Sequence, residues 1–357
     1  MAATVRGVFV EKISPFLLEQ LTSARATPGN ERIAEVIELQ YVRDGREDAI
    51  SSTDVLRHYE ATVGDLPGAE RIYRSTALIE PTTTCAAHCR WCLRAQYEPL
   101  QMTDAQMEAF ARYCGAPERS GELTEILVTG GDPLLVPKKL DTLFTLMMEH
   151  APNVHTYRIG TRVPLQAPER VDSTLLDVMQ RFSDRIEVGI HTNHKLELFP
   201  EVVAALRRIR ATGVTIYNHT VLLRGLNDTT AELIDLCNAL RVLSIETHYL
   251  FHCVPMLGMS HHRTSVSRGL QLARQLANSG SISGRSRPVF ALLTAVGKVV
   301  PYESTIVARD ANRLLLQTEF TVHERKALNP SWRIPDAAVV GDDGRLLVWY
   351  EDAPDAL

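Results

Sequence analysis

The sequence predicts an α/β protein built on a partial parallel barrel, with a helical extension before it and a small β-containing extension after it. Short apolar strands alternate with longer amphipathic stretches from about residue 71, and these strands are apolar without the alternation of a half-exposed sheet. Six or so such units suit a full or partial (β/α)6-type barrel better than two small open sheets. We therefore assign residues 1–70 to the N-terminal extension, 71–304 to the barrel and 305–357 to the C-terminal extension.

The N-terminal extension is predicted to be helical. Apolar residues recur at helical spacing over 14–21 and 33–40, and Ser52-Thr53-Asp54 is typical of a helix start. Charge is dense here and no chemical motif is present. A packing or cover role is the simplest interpretation.

Strand and helix signals then alternate through the barrel. Predicted strands are 76–80, 125–129, 155–159, 186–190, 215–222, 247–251 and 288–293. Predicted helices are 104–113, 139–149, 173–181, 200–211, 230–242 and 267–278. Polar and cysteine motifs directly follow most of these strands, at the end where parallel barrels place their active sites.

The C-terminal extension changes character. Residues 312–316, 339–340 and 346–350 resemble β-strands, and Gly341-Asp342-Asp343-Gly344 is a hairpin signal. We expect a small lid or an oligomer contact.

Composition narrows the possible partners. The net charge is −5, so no strong basic field exists to attract nucleic acid or an anionic membrane. Residues 1–20 resemble neither a signal peptide nor a membrane span, and the longest later apolar run, 289–296, is about half the length that a bilayer requires. We expect a soluble, cytoplasmic protein without a nucleic-acid or membrane partner.

Three cysteines form a local cluster directly after the first barrel strand. Cys85, Cys89 and Cys92 have the spacing C-x3-C-x2-C. Three thiolates can hold three irons of a [4Fe–4S] cube and leave the fourth iron open. A zinc site, with His88 as a weak fourth ligand, and three unrelated structural cysteines are the alternatives.

This cysteine motif, with Trp91 before its last cysteine, resembles the signature of radical S-adenosylmethionine (SAM) enzymes. The resemblance places Trp91 near the adenine of SAM. The segment 128–134 resembles the family's glycine motif, whose backbone and aspartate hold the SAM amino group. The resemblance thus implies these SAM contacts: Gly130, Gly131, Asp132, Arg162, His191, and His219, which stands where members often have Gln.

The resemblance sharpens to the lysine 2,3-aminomutase family over roughly residues 71–305. The matching segments are 85–94, 130–135, 158–162, 191–194, 220–228 and 263–269. The family combines radical SAM chemistry with pyridoxal phosphate (PLP), and moves the amino group of an amino acid from C2 to C3. The resemblance implies a [4Fe–4S] cluster, SAM, PLP, a small amino-acid substrate and an electron donor of the flavodoxin or ferredoxin type.

The resemblance also assigns individual roles around PLP and the substrate. It places PLP on Lys298, although the glycine run before this lysine is about two residues shorter than in many members. It implies Arg94 as the group that holds the substrate carboxylate, and Arg74 or Arg71 near the PLP phosphate. A surface lysine and a solvated loop arginine are the simpler alternatives for Lys298 and Arg94.

The substrate pocket departs from the lysine-specific pattern. Lysine-specific members place two aspartates around the distal ammonium of the substrate, and the matching positions here are Val254 and Leu293. An ammonium against these side chains would lose water without gaining a counter-charge, at a cost on the order of several kcal/mol. We expect an uncharged side chain. Thr229 stands where some relatives have Cys, so we expect any homo-oligomer to lack the intersubunit zinc site.

The sequence therefore predicts a PLP-dependent radical SAM 2,3-aminomutase that acts on an amino acid other than lysine. Three alternatives stay open: a radical SAM/PLP deaminase or epimerase, a lysine enzyme of the elongation factor P modification type, and a zinc- or cluster-binding protein without catalysis.

Overall fold

The computed structural model describes residues 10–49, 62–63, 66–71, 73–94, 99–310 and 312–353. Its strands are Thr62–Val63 (β1), Leu66–Glu70 (β2), Thr76–Thr82 (β3), Glu125–Gly130 (β4), Thr156–Thr161 (β5), Ile186–Ile190 (β6), Thr215–Leu222 (β7), Glu246–His252 (β8), Val289–Thr294 (β9), Gly297–Val299 (β10), Ile306–Asp310 (β11), Arg313–Thr321 (β12), Ala338–Val340 (β13) and Arg345–Glu351 (β14). Its α-helices are Pro15–Ala26 (α1), Glu31–Tyr41 (α2), Asp104–Cys114 (α3), Pro137–His150 (α4), Val163–Gln166 (α5), Ser173–Arg181 (α6), Pro200–Ala211 (α7), Thr230–Val242 (α8), Val266–Asn278 (α9) and Val322–Leu328 (α10).

A ten-stranded sheet forms the barrel wall, and its strands follow one another in chain order from β1 to β10. Strands β3 to β9 pair in parallel, and helices α3, α4, α6, α7, α8 and α9 connect them. Strands β3 and β9 are not neighbours in this sheet, so the barrel is partial. The predicted fold class is confirmed, and the predicted barrel strands and helices are present with ends within two residues of the prediction.

The barrel helices bury one apolar face against the sheet. Helix α4 shows the pattern, because Leu140, Leu143, Phe144 and Met147 recur at helical spacing and are all buried. Phe144 stacks on Tyr157 of β5, with ring centroids 5.0 Å apart. Because β3 to β9 pair in parallel, their carboxyl ends all lie on one side of the sheet.

The N-terminal extension contains the two predicted helices and packs into the barrel core. Helix α1 begins at Pro15, where the Ser14 hydroxyl caps the Leu17 N–H. Phe16 meets Phe199 edge-to-face, with ring centroids 5.8 Å apart. The predicted helix start at Ser52-Thr53-Asp54 lies outside the described residues.

The C-terminal extension is a four-stranded antiparallel sheet in the order β11-β12-β14-β13. The predicted hairpin joins β13 to β14, with Gly344 at φ +80°. Leu314 and Val348 of this sheet share a buried core with Leu250 and Leu292 of the barrel. The extension therefore packs onto the barrel wall at β8 and β9.

Strand β14 reaches the end of β8 through one tyrosine. The Tyr350 hydroxyl hydrogen-bonds to His252 Nδ1 at 2.7 Å, and His252 Nε2 donates to the Thr264 carbonyl at 2.8 Å. Burial lowers the pKa of His252 to about 3, so the ring is neutral.

Among the helices of the described segments, none is long and apolar enough to cross a bilayer.

Candidate active site

A cavity opens at the carboxyl ends of the barrel strands and collects most of the predicted site residues. It lies between the cysteine loop that follows β3 and the ends of β4 to β9. The predicted residues that line it are Cys85, Cys89, Trp91, Cys92, Arg94, Gly130, Gly131, Asp132, Arg162, His191, Val254 and Leu293. The predicted residues Lys298, His219 and Arg74 lie elsewhere, as described below.

The three cysteines are free thiols on one wall of this cavity. Burial, together with the neighbouring cysteine, raises the pKa of the Cys89 thiol to about 12, and burial also raises the pKa of Cys85 and Cys92. Three thiolates can coexist here only with a cation that compensates their charge. This donor set fits an iron–sulfur cluster. Within the described segments, no three His, Cys, Asp or Glu side chains converge as they would on a single metal ion.

The N-terminal extension holds the cysteine loop in place. Lys12 donates through Nζ to the Cys85 carbonyl at 2.6 Å, and its own carbonyl accepts the His88 N–H at 2.8 Å. The Arg90 N–H donates to the Gln40 carbonyl at 2.8 Å, and the Arg90 guanidinium is ion-paired to Glu47. These contacts make the extension part of the site.

His88 is tied into the same contacts. Its Nδ1 donates to the Val10 carbonyl at 2.7 Å. In this tautomer Nε2 carries no proton, and His88 lines the cavity, so the bond to Val10 does not decide against His88 as a zinc ligand.

The glycine motif after β4 packs directly on the segment that leads into Cys85. The Gly131 N–H donates to the Thr82 carbonyl and the Asp132 N–H to the Thr84 carbonyl, both at 2.8 Å. A Cβ at position 131 would lie 2.3 Å from the Thr83 carbonyl carbon and the Thr84 carbonyl oxygen. The glycine is therefore required by the close approach of two backbones.

We expect Gly131→Ala to destabilise the fold by roughly 1–3 kcal/mol and to reduce iron loading, because the added methyl must push the cysteine loop away. Urea unfolding and iron content per chain measure the two effects. Gly284→Ala is the matched control, since a Cβ there meets nothing within 4 Å. Equal stability and iron content in both variants would contradict the packing argument.

Asp132 is buried and its carboxylate is engaged by the protein. It accepts hydrogen bonds from the Thr161 hydroxyl at 2.7 Å, the Arg162 N–H at 2.6 Å and the Val163 N–H at 2.9 Å. Burial raises the pKa of Asp132 to about 6. Asp132 therefore ties the end of β4 to the end of β5, and its contact with a SAM amino group stays a prediction.

Arg162 is a buried cation that lines the cavity. Its guanidinium is ion-paired to Glu197, donates to the Tyr41 hydroxyl at 2.6 Å and lies 4.9 Å from the centre of the Trp91 ring. The contact with Arg162 helps to hold the Trp91 ring, which the family resemblance places near the adenine of SAM. His191 lines the cavity nearby, and burial lowers its pKa to about 4, so it is a neutral polar group.

Lys298 lies in the barrel interior, one aromatic layer away from the cavity. Its Nζ donates to the Tyr249 hydroxyl at 2.7 Å, and its N–H donates to the Tyr73 hydroxyl at 2.8 Å. Tyr249 packs against Phe251, with centroids 5.0 Å apart, and Phe251 lines the cavity. Lys298 is therefore held by two tyrosines instead of lying on a surface turn.

His219 belongs to this interior layer. Its ring lies 5.5 Å from Tyr249 and 5.2 Å from His191, centre to centre. Its Nε2 is buried without a hydrogen-bonding partner in the described part of the chain, and burial lowers its pKa well below the usual value. The structure thus places His219 between Lys298 and the cavity, while the sequence assigned it to SAM.

Arg74 lies outside the cavity that the three cysteines line. Its side chain is 68% exposed and lies 3.7 Å from Glu122, in a second cavity that it shares with Arg71 and Arg325. The structure does not bring Arg74 to Lys298 Nζ or to the cysteines. The register around this arginine was ambiguous because no motif marks the segment before β3.

Arg94 points into the cavity and has a buried acidic partner. Its Nε is ion-paired to Glu80 at the end of β3, with side chains 12% and 5% exposed. The pair fixes the plane of the guanidinium, which suits two-point binding of a carboxylate. Sequence reasoning missed Glu80, because a single acidic residue in a strand carries no signal of its partner.

Val254 and Leu293 lie in one apolar wall. Val254 packs in a small buried cluster with Met256 and Met259, and Leu93 and Leu293 pack against it. Both positions line the same cavity as Arg94. A ligand held at Arg94 would therefore meet the aliphatic side chains of Leu93, Val254 and Leu293.

Known proteins match this chain in sequence. The model of the radical SAM superfamily matches residues 79–237. A putative L-lysine 2,3-aminomutase of Aquifex aeolicus is 33% identical over 263 residues, which cover 71% of this chain and 69% of the relative. L-lysine 2,3-aminomutases of Escherichia coli and Clostridium subterminale are 32% and 26% identical.

The matched lengths differ between these relatives. The match covers 63% of this chain and 65% of the E. coli protein, and 72% of this chain and 62% of the clostridial one. The chain thus spans less than two thirds of those two relatives. Among solved structures, a radical SAM methyltransferase from Sphaerobacter thermophilus aligns with a TM-score of 0.49 and 20% identity, over 64% of this chain and 69% of that one.

Proposed function

Because this chain belongs to the lysine 2,3-aminomutase family of the radical SAM superfamily, we propose that it is a PLP-dependent 2,3-aminomutase for an amino acid with an uncharged side chain. The observation that carries the proposal is one cavity. Three cysteines, a glycine motif, Arg94 and an aliphatic wall all line it.

The cysteine wall fits the iron–sulfur cluster and SAM. Cys85, Cys89 and Cys92 would hold three irons, and Trp91 and the segment 130–132 would bind SAM beside them. When bound and reduced, the cluster with SAM supplies a 5′-deoxyadenosyl radical. The chain itself contributes the cavity walls, whose apolar side chains Phe251, Val254 and Leu293 would limit the water around this radical.

The contacts of Lys298 support a PLP site at this lysine. A lysine that donates to the Tyr249 hydroxyl, beside a buried histidine with an unused ring nitrogen, offers an amine and polar contacts within one layer. Lys298 would bind the cofactor through its amine, and Tyr249 orients this amine. Arg94 holds the substrate carboxylate, and Glu80 orients Arg94.

The apolar wall supports an uncharged substrate. Val254 and Leu293 stand at the positions where lysine-specific members carry aspartates, and both pack among Met256, Met259 and Leu93. A substrate ammonium would be desolvated there without a counter-ion. The relatives are named for lysine, so lysine is the second candidate.

The decisive experiment uses anaerobically reconstituted protein with SAM, PLP and dithionite. The twenty amino acids are supplied singly, and β-amino acids, α-keto acids, ammonia and inverted α-carbons are measured. A β-isomer of an uncharged amino acid supports the proposal. A keto acid with ammonia, or inversion alone, identifies a deaminase or an epimerase. If lysine is turned over as fast as the best uncharged amino acid, the proposal that Val254 and Leu293 disfavour a charged side chain is wrong.

We expect Val254→Asp to lower kcat/KM for the apolar substrate by roughly 10- to 100-fold, because it adds an uncompensated carboxylate to the apolar wall. The same change should raise the relative turnover of lysine. Val254→Asn is the matched control, since it adds polarity of the same size without charge. Equal behaviour of the two variants towards lysine would contradict the role of charge at this position.

A further inference from the structure

A side-chain amide approaches one of the three cysteine sulfurs. Gln166, the last residue of α5, places its Nε2 at 3.3 Å from Cys89 Sγ. Gln166 is 2% exposed and lines the cavity. Neither the cysteine motif nor the glycine motif includes this residue.

The position of this amide is fixed from several sides. The Gln166 N–H donates to the Arg162 carbonyl at 2.9 Å, and the Gln166 carbonyl accepts from the Ser14 hydroxyl. Arg162, whose carbonyl accepts the Gln166 N–H, is itself held by donating to the Tyr41 hydroxyl at 2.6 Å. Helix α5 and the N-terminal extension therefore hold the amide against the sulfur.

The chemistry of the sulfur decides how the amide is oriented. A metal-bound thiolate can accept a hydrogen bond but cannot donate one. The amide must therefore direct an N–H, and not its oxygen, towards Cys89. Hydrogen bonds to cluster sulfurs are one of the means by which proteins set reduction potentials, because they stabilise the more negative, reduced state.

We propose that Gln166 is a positioning residue that acts through Cys89 and raises the reduction potential of the cluster. The inference rests on the proposed function. An external one-electron donor is oxidised as the cluster gains one electron and one negative charge, and the Gln166 N–H stabilises that charge. Passed on to the sulfonium of bound SAM, that electron would break one carbon–sulfur bond, which would give methionine and the 5′-deoxyadenosyl radical and return the cluster to its oxidised state.

Gln166→Met tests this inference, because methionine keeps the length of the side chain and removes the N–H. The readout is a redox titration followed by the electron paramagnetic resonance signal of the reduced cluster. At a fixed solution potential, we expect the ratio of reduced to oxidised cluster to fall about tenfold, which is about 59 mV for one electron. Gln275→Met on α9 is the matched control, since its amide contacts Thr230 and not the cluster loop.

If Gln166→Met fails to load iron, a second measurement on the wild-type holoprotein still tests the inference. Deuterium electron–nuclear double resonance after exchange into D2O should detect a deuteron coupled to the reduced cluster, and side-chain ¹⁵N labelling of glutamine should add a coupling. An unchanged midpoint in Gln166→Met with normal iron content overturns the inference, as does the absence of both couplings. A wild-type protein that loads no cluster overturns the proposed function instead.

Discussion

Cys85→Ala is expected to abolish iron–sulfur loading and SAM cleavage together. The alanine removes one of the three thiolates on the cavity wall, and the remaining two leave two irons of a cube without protein ligands. Iron content should fall from about four per chain to background, and 5′-deoxyadenosine formed with dithionite should fall with it. Anaerobic reconstitution followed by iron and nucleoside analysis measures both quantities.

Cys114→Ala separates this effect from the loss of any buried thiol. Cys114 is fully buried at the end of α3 and is not among the residues that line the cavity. The Cys114→Ala variant should bind iron and cleave SAM like the wild type, with only a modest loss of stability. If Cys85→Ala retained a full cluster, or if it bound zinc at the level of the wild type, the iron–sulfur assignment would be wrong.

Lys298→Ala is expected to separate the two halves of the chemistry. The variant loses the amine that lies against Tyr249, and amino-acid turnover should fall by about 10³-fold or more. SAM cleavage should persist in part, because the cysteines are one aromatic layer away. The direct readout is PLP fixed by borohydride and located by peptide mass spectrometry.

Lys138→Ala serves as the control for Lys298, since its side chain is exposed on α4. Wild type and this control should carry reduced PLP on the peptide that contains Lys298. Labelling of another lysine in Lys298→Ala, at the wild-type level and with turnover retained, would move the anchor elsewhere.

The sequence predicts the barrel well because its signals are local and repeated. The apolar spacing of Leu140, Leu143, Phe144 and Met147 is sufficient to define α4 and its buried face. The glycine motif is equally readable, since Gly131 is demanded by a close backbone approach that excludes a side chain. The cysteines are predicted by spacing alone.

The contacts of the N-terminal extension could not be predicted in this way. The His88 and Arg90 N–H groups bind backbone carbonyls of Lys12 and Gln40, and backbone atoms leave no residue signature. Glu80 and Gln166 were missed for a related reason. Each acts on a partner brought near by the fold, Arg94 in one case and Cys89 in the other.

The position of Arg74 could not be inferred because it depends on register. A shift of a residue or two before β3 decides whether an arginine enters the barrel or turns towards solvent. Arg74 pairs with Glu122, while Arg158 of β5 is ion-paired to Glu125 and its buried Nε has no hydrogen-bonding partner in the described part of the chain. Whether an arginine side chain faces the barrel or the solvent is therefore decided by three-dimensional packing.

The link between Tyr350 and His252 has a consequence for biogenesis. His252 forms part of the cavity wall, and the hydroxyl that fixes its ring comes from a strand near the end of the chain. While the ribosome is still translating the C-terminal sheet, this wall lacks its support. The His252 part of the wall is therefore completed only once β14 has been synthesised and packed against β8.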